Sequence, residues 1–321
     1  MNQNLFKIIT LLNDGEFHSS NHLSQQLQIK RAAVYQAIKK LKQYHIPIHA
    51  IKNKGYAFSE PLLLLDKKKI KERVNHHHID ISIFETISST NDYLRSEPKS
   101  KHPILCLAEQ QTKGKGRLNR TWYSPFGQNI YASFLYPFNK QIHALAGLSL
   151  VVSLATLKTL QQFLPHHSLQ VKWPNDIVYQ KQKVAGILID VHTETDQSCD
   201  MIIGIGMNIN MVKNNHPIQQ PWTSLKKINQ CYYDRNILCA SLINHLFSYL
   251  DQFSAKGLTY FIDEWKSADS LFDKIITIKQ GSKKFQGYAK GITHLGQLLL
   301  ECEDGKIKAF TSGDASIIKN L

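Results

Sequence analysis

Apolar residues fall at helical spacing along the start of the chain. Leu5, Ile8, Ile9 and Leu12 recur three and four residues apart, lining one helix face, and Asn13-Asp14-Gly15 closes that helix. A second helix is predicted from near Ser19 or Ser20, carrying Leu23 and Leu27 inward. The third runs from about Arg31 to Tyr44. Val34, Ile38 and Leu41 form its apolar stripe, leaving Arg31, Tyr35, Gln36, Lys39, Lys40 and Lys42 elsewhere on its surface. Beyond Pro47 the period becomes that of a short hairpin, with strands at Ile48 to Ile51 and Tyr56 to Phe58 about the turn Lys52-Asn53-Lys54-Gly55.

From Pro61 to about Ile70 the chain reads as a linker. Its run Leu62-Leu63-Leu64-Leu65 is too short to span a membrane and is expected to pack on a neighbouring domain. Strand candidates follow at Ile79 to Phe84, Ile104 to Ala108, Asn129 to Leu135, Leu169 to Trp173, Val184 to Asp190 and Met201 to Ile205. Long apolar helices are predicted from about His143 to Leu164 and from Arg235 to Phe253. So many strands against so few long helices imply an α+β arrangement with a sheet covered mainly on one face. From about Leu271 short alternating strands return at Lys274 to Lys279, Lys283 to Lys290, Gln297 to Cys302 and Lys306 to Phe310. Gly281, Gly287, Gly291, Gly296 and Gly305 read as the turns between them, the pattern of a small barrel.

A chain of 321 residues suits two or three domains and a sizeable core. Its net charge of +14 is uneven: residues 1 to 75 hold thirteen Lys/Arg against five Asp/Glu, and so eight of those positive charges. That asymmetry points to a polyanion partner for the N-terminal part. The polar start Met1-Asn2-Gln3-Asn4 is no signal peptide and no run of eighteen apolar residues occurs, so no membrane association is expected. Cys106, Cys199, Cys231, Cys239 and Cys302 are odd in number and include no Cys-x-x-Cys pair, which fits reduced thiols in the cytoplasm. His76-His77-His78 suggests metal, yet it lies in a charged, linker-like stretch without cysteine partners, and metal ligands stay unassigned.

The chemistry concentrates in four segments. Lys113 to Trp122 reads Lys-Gly-Lys-Gly-Arg-Leu-Asn-Arg-Thr-Trp: two glycines admit close backbone approach, and four cationic side chains arrive within eight residues. Such a segment suits a crowded anion, although alone it also describes a flexible surface loop. Lys172-Trp173-Pro174-Asn175-Asp176 and Lys183-Val184-Ala185-Gly186-Ile187-Leu188 each place a lysine beside an apolar run, which would fix its ammonium at a sheet edge. Pro174-Asn175-Asp176 equally fits a plain turn. Ser88-Ser89-Thr90-Asn91 offers three hydroxyls and an amide, or simply a helix N-cap for Asp92 to Arg95.

Taken in this order and at these spacings, Ser89-Thr90-Asn91, Gln111 with Gly114 to Trp122, Lys172 to Asp176 and Lys183 to Leu188 resemble the motifs of the biotin protein ligases. Gly204-Ile205-Gly206-Met207-Asn208-Ile209-Asn210 looks like that family's Gly-x-Gly-x-Asn turn. Two positions depart from the pattern. Lys115 replaces an arginine, keeping the charge and losing the planar fork, and Asn119 replaces a frequent glycine while tolerating a left-handed backbone. Three helices and a basic hairpin resemble the winged helix-turn-helix of biotin ligases that double as repressors. The resemblance covers the whole chain. It implies a winged helix-turn-helix over 1–64, a biotin- and ATP-binding α/β catalytic domain with a mixed sheet over 65–270, and an SH3-like domain over 271–321.

The family's reaction has two steps. Biotin's carboxylate attacks the α-phosphate of ATP to give biotinyl-5′-AMP and pyrophosphate, and a lysine of a biotin carboxyl carrier protein then displaces AMP. The resemblance implies catalytic roles for Lys183, Arg117 and Asp176, with Mg²⁺ sharing the phosphate charge. It implies biotin contacts from Ser89, Thr90, Asn91, Gln111, Lys115, Gly116, Arg117, Lys183 and Gly186. The adenylate would meet Arg117, Arg120, Trp122, Lys172, Asn175, Asn208 and Trp222, with Trp122 open to the bland reading of a core tryptophan. Asn210 to Trp222 is the loop that would close on the adenine, with Trp222 and Val212 packing around it, or else an ordinary surface loop. Arg31, Tyr35 and Gln36 are candidates for operator bases or phosphates, and Lys52 and Lys54 for phosphates. Lys30 stands where Ser or Thr would cap that third helix, a loss of ~1 kcal/mol that leaves the helix start to packing or to bound DNA. A homodimer formed on adenylate binding would match a palindromic operator. The alternatives are a biotin-sensing regulator that has lost ligation, a lipoate ligase-like enzyme, and, for the N-terminal part, a helical protein-binding module.

Overall fold

The computed structural model describes residues 3–75, 78–195, 197–214 and 218–317. Among them the chain forms, in order, a two-, a seven- and a five-stranded sheet.

The first apolar stripe folds as the helix Gln3–Leu12, with Leu5, Ile8, Ile9 and Leu12 buried. Ser19 caps the helix Ser20–Leu27, its hydroxyl accepting the His22 N–H at 3.1 Å. The helix Arg31–Gln43 begins at Lys30 with no side-chain cap, as its sequence requires. Strands Ile48–Ile51 and Gly55–Phe58 then pair antiparallel around Asn53, at φ 67°. This winged helix-turn-helix is docked firmly. Phe126 of the middle domain joins its core and stacks on Tyr44 with ring centroids 4.1 Å apart, while Lys40 and Tyr44 both bind the Glu85 carboxylate. Leu62, Leu64 and Leu65 of the linker are buried, as expected. A fully buried ion pair, Arg235 with Glu109 at 2.7 Å, holds their backbone: Arg235 donates to Leu63 O and Glu109 accepts from Leu65 N.

The central sheet runs, edge to edge, Asp80–Phe84, Ile104–Ala108, Ile130–Phe138, Cys199–Met207, Gln182–Glu194, Asp176–Tyr179, Gln170–Lys172. Its first pair is parallel and the rest antiparallel, so the sheet is mixed. The helices Leu148–Phe163 and Arg235–Lys256 pack on each other and cover one face; the short helix Thr90–Arg95 lies on the strands from the other side. The helix expected from His143 is interrupted: a 3-10 turn, Ile142–Leu145, precedes Leu148–Phe163 because Gly147 takes φ 82°, a left-handed step that an α-helix does not continue through. The segment Ile142–Phe163 is long and apolar enough to cross a membrane, and here it is mostly buried as the core helix.

Two further expectations are corrected. Asp176–Tyr179 is a strand, and Lys172 pairs with Asp176, so Trp173-Pro174-Asn175 is the tip of a hairpin, with a cis Trp173-Pro174 bond. Gly204 and Gly206 do not form a turn; they lie inside the strand Cys199–Met207, opposite Leu188 and Gly186.

The C-terminal sheet has the order Ile307–Phe310, Leu298–Glu301, Lys283–Ile292, Ile275–Gln280, Asp314–Ile317. Its two edge strands are successive in the chain, separated by Thr311, Ser312 and Gly313. That connection reaches at most ~14 Å, whereas the edges of a flat five-stranded sheet would stand about 19 Å apart. The sheet must therefore curl into an open barrel. Gly287 is not a turn residue but lies within Lys283–Ile292, where a Cβ would come 2.1 Å from Glu301 O. The last strand, Asp314–Ile317, was not expected.

Candidate active site

The floor of the site is two neighbouring strands thinned by glycine. Gly186 and Gly206 are register partners, and Gly204 shares a face with Gly206 because it lies two residues away on the same strand. A Cβ on Gly206 would come 2.5 Å from Trp122 Cε2, and one on Gly204 would come 2.3 Å from Asn91 Oδ1. On Gly186 it would come 2.8 Å from Lys183 Cε. Hydrogen at these positions is what lets Trp122, Lys183 and Asn91 lie down on the sheet.

Above that floor is a cavity of about 270 Å³ with a polar end and a cationic end. At the polar end Ser89 caps the helix Thr90–Arg95 through the Asp92 N–H, so both readings of the Ser-Ser-Thr-Asn quartet hold at once. Gln111 Oε1 accepts from the Thr90 N–H at 2.9 Å and from its hydroxyl at 3.1 Å. Ser133 Oγ lies 2.6 Å from both Thr90 Oγ1 and Asn91 Oδ1, and Asn91 Nδ2 donates to Asp190 at 3.1 Å. Sequence reasoning missed Ser133; its signal was a serine facing inward between Ala132 and Phe134 in a buried strand.

At the cationic end the basic loop is a tight hairpin, not a floppy excursion. Gly116 N–H donates to Arg120 O at 2.7 Å and Trp122 N–H to Gly114 O at 2.9 Å. Leu118 and Asn119 make the turn at φ 55° and 58°, so asparagine does take the left-handed backbone expected of it. Arg117 donates to Asn175 Oδ1 at 3.2 Å, and the Asn175 amide in turn donates to Ile187 O. Burial pulls the Arg117 guanidinium below its ordinary pKa, an effect that the Asp314 and Asp176 carboxylates oppose. Lys183 Nζ pairs with Asp176 Oδ1 at 2.7 Å and lies 5.3 Å from the centroid of the Trp122 ring. Lys115 pairs with Asp92 at 2.6 Å, and Arg120 pairs with Asp314. Lys172 and Gly116 complete this end. Asp314, brought in by the unexpected last strand, could have been suspected only from the alternation of Asp314 to Ile317.

Two of the expected residues, Asn208 and Trp222, lie elsewhere, in the wall of an adjoining cavity of about 900 Å³. Lys183, Trp122, Arg120 and Gln111 border both spaces. The chain around Trp222 is tied to the sheet at Lys183, whose N–H donates to Pro221 O at 2.9 Å and whose carbonyl accepts the Thr223 N–H at 3.0 Å. Asn208 Nδ2 donates to Thr223 O at 3.1 Å. Trp122 Nε1 is buried with no hydrogen-bond partner among the described residues. Val212 is 42% exposed, while Asn215 to Pro217 of the expected closing loop, and His76 and His77 of the histidine run, lie outside the described residues. Among the described residues no group of three or more His, Cys, Asp or Glu could hold a metal ion.

On the N-terminal domain Arg31, Tyr35, Gln36, Lys52 and Lys54 are all exposed, on the third helix and on the hairpin turn. Val34, Ile38 and Leu41 are buried on the opposite side of that helix.

Residues 83–208 match the Biotin/lipoate A/B protein ligase family, residues 4–57 an HTH domain, and residues 271–317 the Biotin protein ligase C terminal domain. The chain is 35% identical to the Bifunctional ligase/repressor BirA of Salmonella typhimurium, over 97% of this chain and 96% of that protein. It is 28% identical to the protein of the same name from Bacillus spizizenii, over 94% of each. Among solved structures it resembles a biotin protein ligase from Aquifex aeolicus in complex with biotin and ATP, with 27% identity and a TM-score of 0.65, covering 75% of this chain and 99% of that one.

Proposed function

The chain belongs to the bifunctional biotin protein ligases, and on that premise we propose how its residues divide the work. It is an ATP-dependent ligase that forms biotinyl-5′-AMP and transfers biotin to a lysine of the biotin carboxyl carrier protein of acetyl-CoA carboxylase. It is also the repressor of biotin synthesis genes that responds to that adenylate. One observation carries the assignment: Lys183 stands where a cavity lined by paired amides and hydroxyls meets a second cavity bordered by the basic loop.

The polar end of the smaller cavity takes the ureido ring, whose buried donors and acceptors must all be paired. Ser89, Thr90, Asn91, Gln111 and Ser133 supply that edge, and Gly186, Gly204 and Gly206 let Lys183, Asn91 and Trp122 lie close on the sheet beneath it. Biotin's carboxylate then faces Lys183. In the first step a carboxylate oxygen bonds to the α-phosphorus, the bond from that phosphorus to the bridging oxygen breaks, and pyrophosphate leaves with the electron pair. Like charges are pressed together throughout. Lys183, Arg117, Arg120, Lys115 and Lys172 offset them from fixed positions. Asp176 and Asp314 are each already paired with a cation, so these residues make no cage for Mg²⁺; an ion carried on the ATP phosphates would supply only partial neutralisation of their charge.

In the second step the carrier's lysine nitrogen, as a neutral amine, bonds to the acyl carbon, the acyl carbon–oxygen bond breaks, AMP leaves with the electron pair, and the nitrogen gives up a proton to the Asp176 carboxylate. Asp176 accepts a hydrogen bond from that amine, freed for the purpose when Lys183 turns to the phosphate. Asn175, held by Arg117, points the phosphate. For repression, Arg31, Tyr35 and Gln36 face the major groove while Lys52 and Lys54 lie along phosphates. A homodimer assembled on the adenylate gives two half-sites their two-fold symmetry. Free thiols throughout the chain support a reducing, cytoplasmic setting.

Incubation with ATP, biotin and a carrier domain tests the reading. Transfer well above a control without the chain is expected, with labelled lipoate a poor substitute; operator binding without any transfer would leave only a biotin-sensing regulator.

A further inference from the structure

The larger cavity has a wall that nothing in the ligase reaction accounts for. Besides Asn208, Trp222 and Lys183 it is lined by Gln43, Tyr44 and His45, which end the third helix of the DNA-binding domain. Backbone hydrogen bonds close that helix end. His45 sits at φ 58°, its N–H donates to Lys42 O at 2.9 Å, and the next N–H, of Ile46, donates to Leu41 O at 3.1 Å. Tyr44 is committed to packing, stacked on Phe126 with its hydroxyl 3.0 Å from Glu85 Oε1. Its two neighbours differ. Gln43 and His45 are exposed, their side chains make no hydrogen bond among the described residues, and both carry a donor and an acceptor.

Resting on the reading that the triphosphate lies along the basic loop beside Lys183, we propose that Gln43 and His45 bind the nucleoside of ATP. With the phosphates at Arg117 and Arg120 and biotin's carboxylate at Lys183, the rest of the nucleotide extends into the larger space, the one bordered by Trp222 and Asn208. Gln43 and His45 in its lining belong to the DNA-binding domain, so a bound nucleotide spans two domains. An amide and an imidazole at that helix end suit the purine edge and the ribose hydroxyls. Nucleotide occupancy then bears directly on the helix that carries Arg31, Tyr35 and Gln36.

The test is steady-state pyrophosphate release by the full-length chain, with wild type compared against Gln43→Ala/His45→Ala and against His49→Ala, an exposed wing residue outside the cavity. Losing one or two hydrogen bonds should raise the KM for ATP roughly three- to tenfold. The KM for biotin, the melting temperature and the His49→Ala variant should stay at wild-type values, and His45→Gln, which keeps a donor and an acceptor, should recover part of the loss. An unchanged KM for ATP in the double variant overturns the proposal. So does a parallel rise in both KM values, which would make the wall structural. A wild-type chain that releases no pyrophosphate would instead bring down the underlying reading, and the proposal with it.

Discussion

Lys183 Nζ and Asp176 Oδ1 lie 2.7 Å apart, on the two adjacent strands of one hairpin, with both side chains largely buried. In the proposed function the two residues serve different half-reactions, and in the structure each is the other's partner. The pairing explains how a cation and a carboxylate can wait together inside a pocket, where either alone would be costly to bury. On the proposed mechanism an arriving phosphate would compete for the lysine, and the carboxylate would become available only once that competition succeeds.

Replacing Gly206 by Ala should injure biotin binding more than folding. The added Cβ would meet the Trp122 ring at 2.5 Å, so the ring must lift. Overpacking of this kind costs about 1–3 kcal/mol. We expect the KM for biotin to rise roughly tenfold or more while the circular dichroism spectrum stays native; an unaltered KM would show that Trp122 does not cover the ligand.

Glu109→Ala should be among the most damaging substitutions outside the site. It strands Arg235 in the interior and frees the Leu65 N–H, a loss of about 3–5 kcal/mol. Chemical denaturation measures it. Glu109→Leu combined with Arg235→Met should recover part of the loss, since the charge is then gone along with its partner; no recovery would assign the cost to the linker hydrogen bonds instead.

The Asp269 carboxyl gives the fold a pH dependence of its own. Burial raises its pKa to about 6, against a smaller lowering by the Leu271 N–H that it accepts. The folded state therefore holds the proton more tightly than the unfolded one. Asp269 contributes stability below pH 4 that is lost as pH rises through about 6, at most about 3 kcal/mol. Asp269→Asn keeps the acceptor and removes the titration. Its melting temperature should exceed wild type at pH 7.5 and approach it near pH 4; equal offsets at both would place the pH dependence elsewhere.

Lys52→Ala/Lys54→Ala should weaken operator binding and lower the slope of log K against log salt by about one unit per lost phosphate contact. An unchanged slope would move the hairpin off the phosphates.

Local chemistry made much of this molecule readable. The helix stripe Val34, Ile38, Leu41 and the cap at Ser19 depend on near neighbours alone, and both fold as their spacing requires. The motifs also converge: Thr90, Gln111, Arg117, Asp176 and Lys183 come together from four separate stretches of chain. What stayed hidden depends on distant partners. Asp176–Tyr179 is only four residues long and begins with an aspartate, so pairing with Gln182–Glu194, not propensity, makes it a strand. Gly204 and Gly206 resembled a turn because glycine signals both turns and close approach, and only Asn91 and Trp122 lying over them distinguish the two. Asp314 reaches Arg120 because the barrel curls, which no local pattern expresses.

The most direct measurement is a rapid-quench single turnover that follows pyrophosphate release and biotin transfer separately. Lys183→Ala should lower adenylate formation by 10²- to 10³-fold or more, whereas Asp176→Asn should form the adenylate at close to the wild-type rate and slow transfer to the carrier by roughly 10²-fold. Equal slowing of both steps by Asp176→Asn, or wild-type pyrophosphate release from Lys183→Ala, would contradict the division of labour between the two residues.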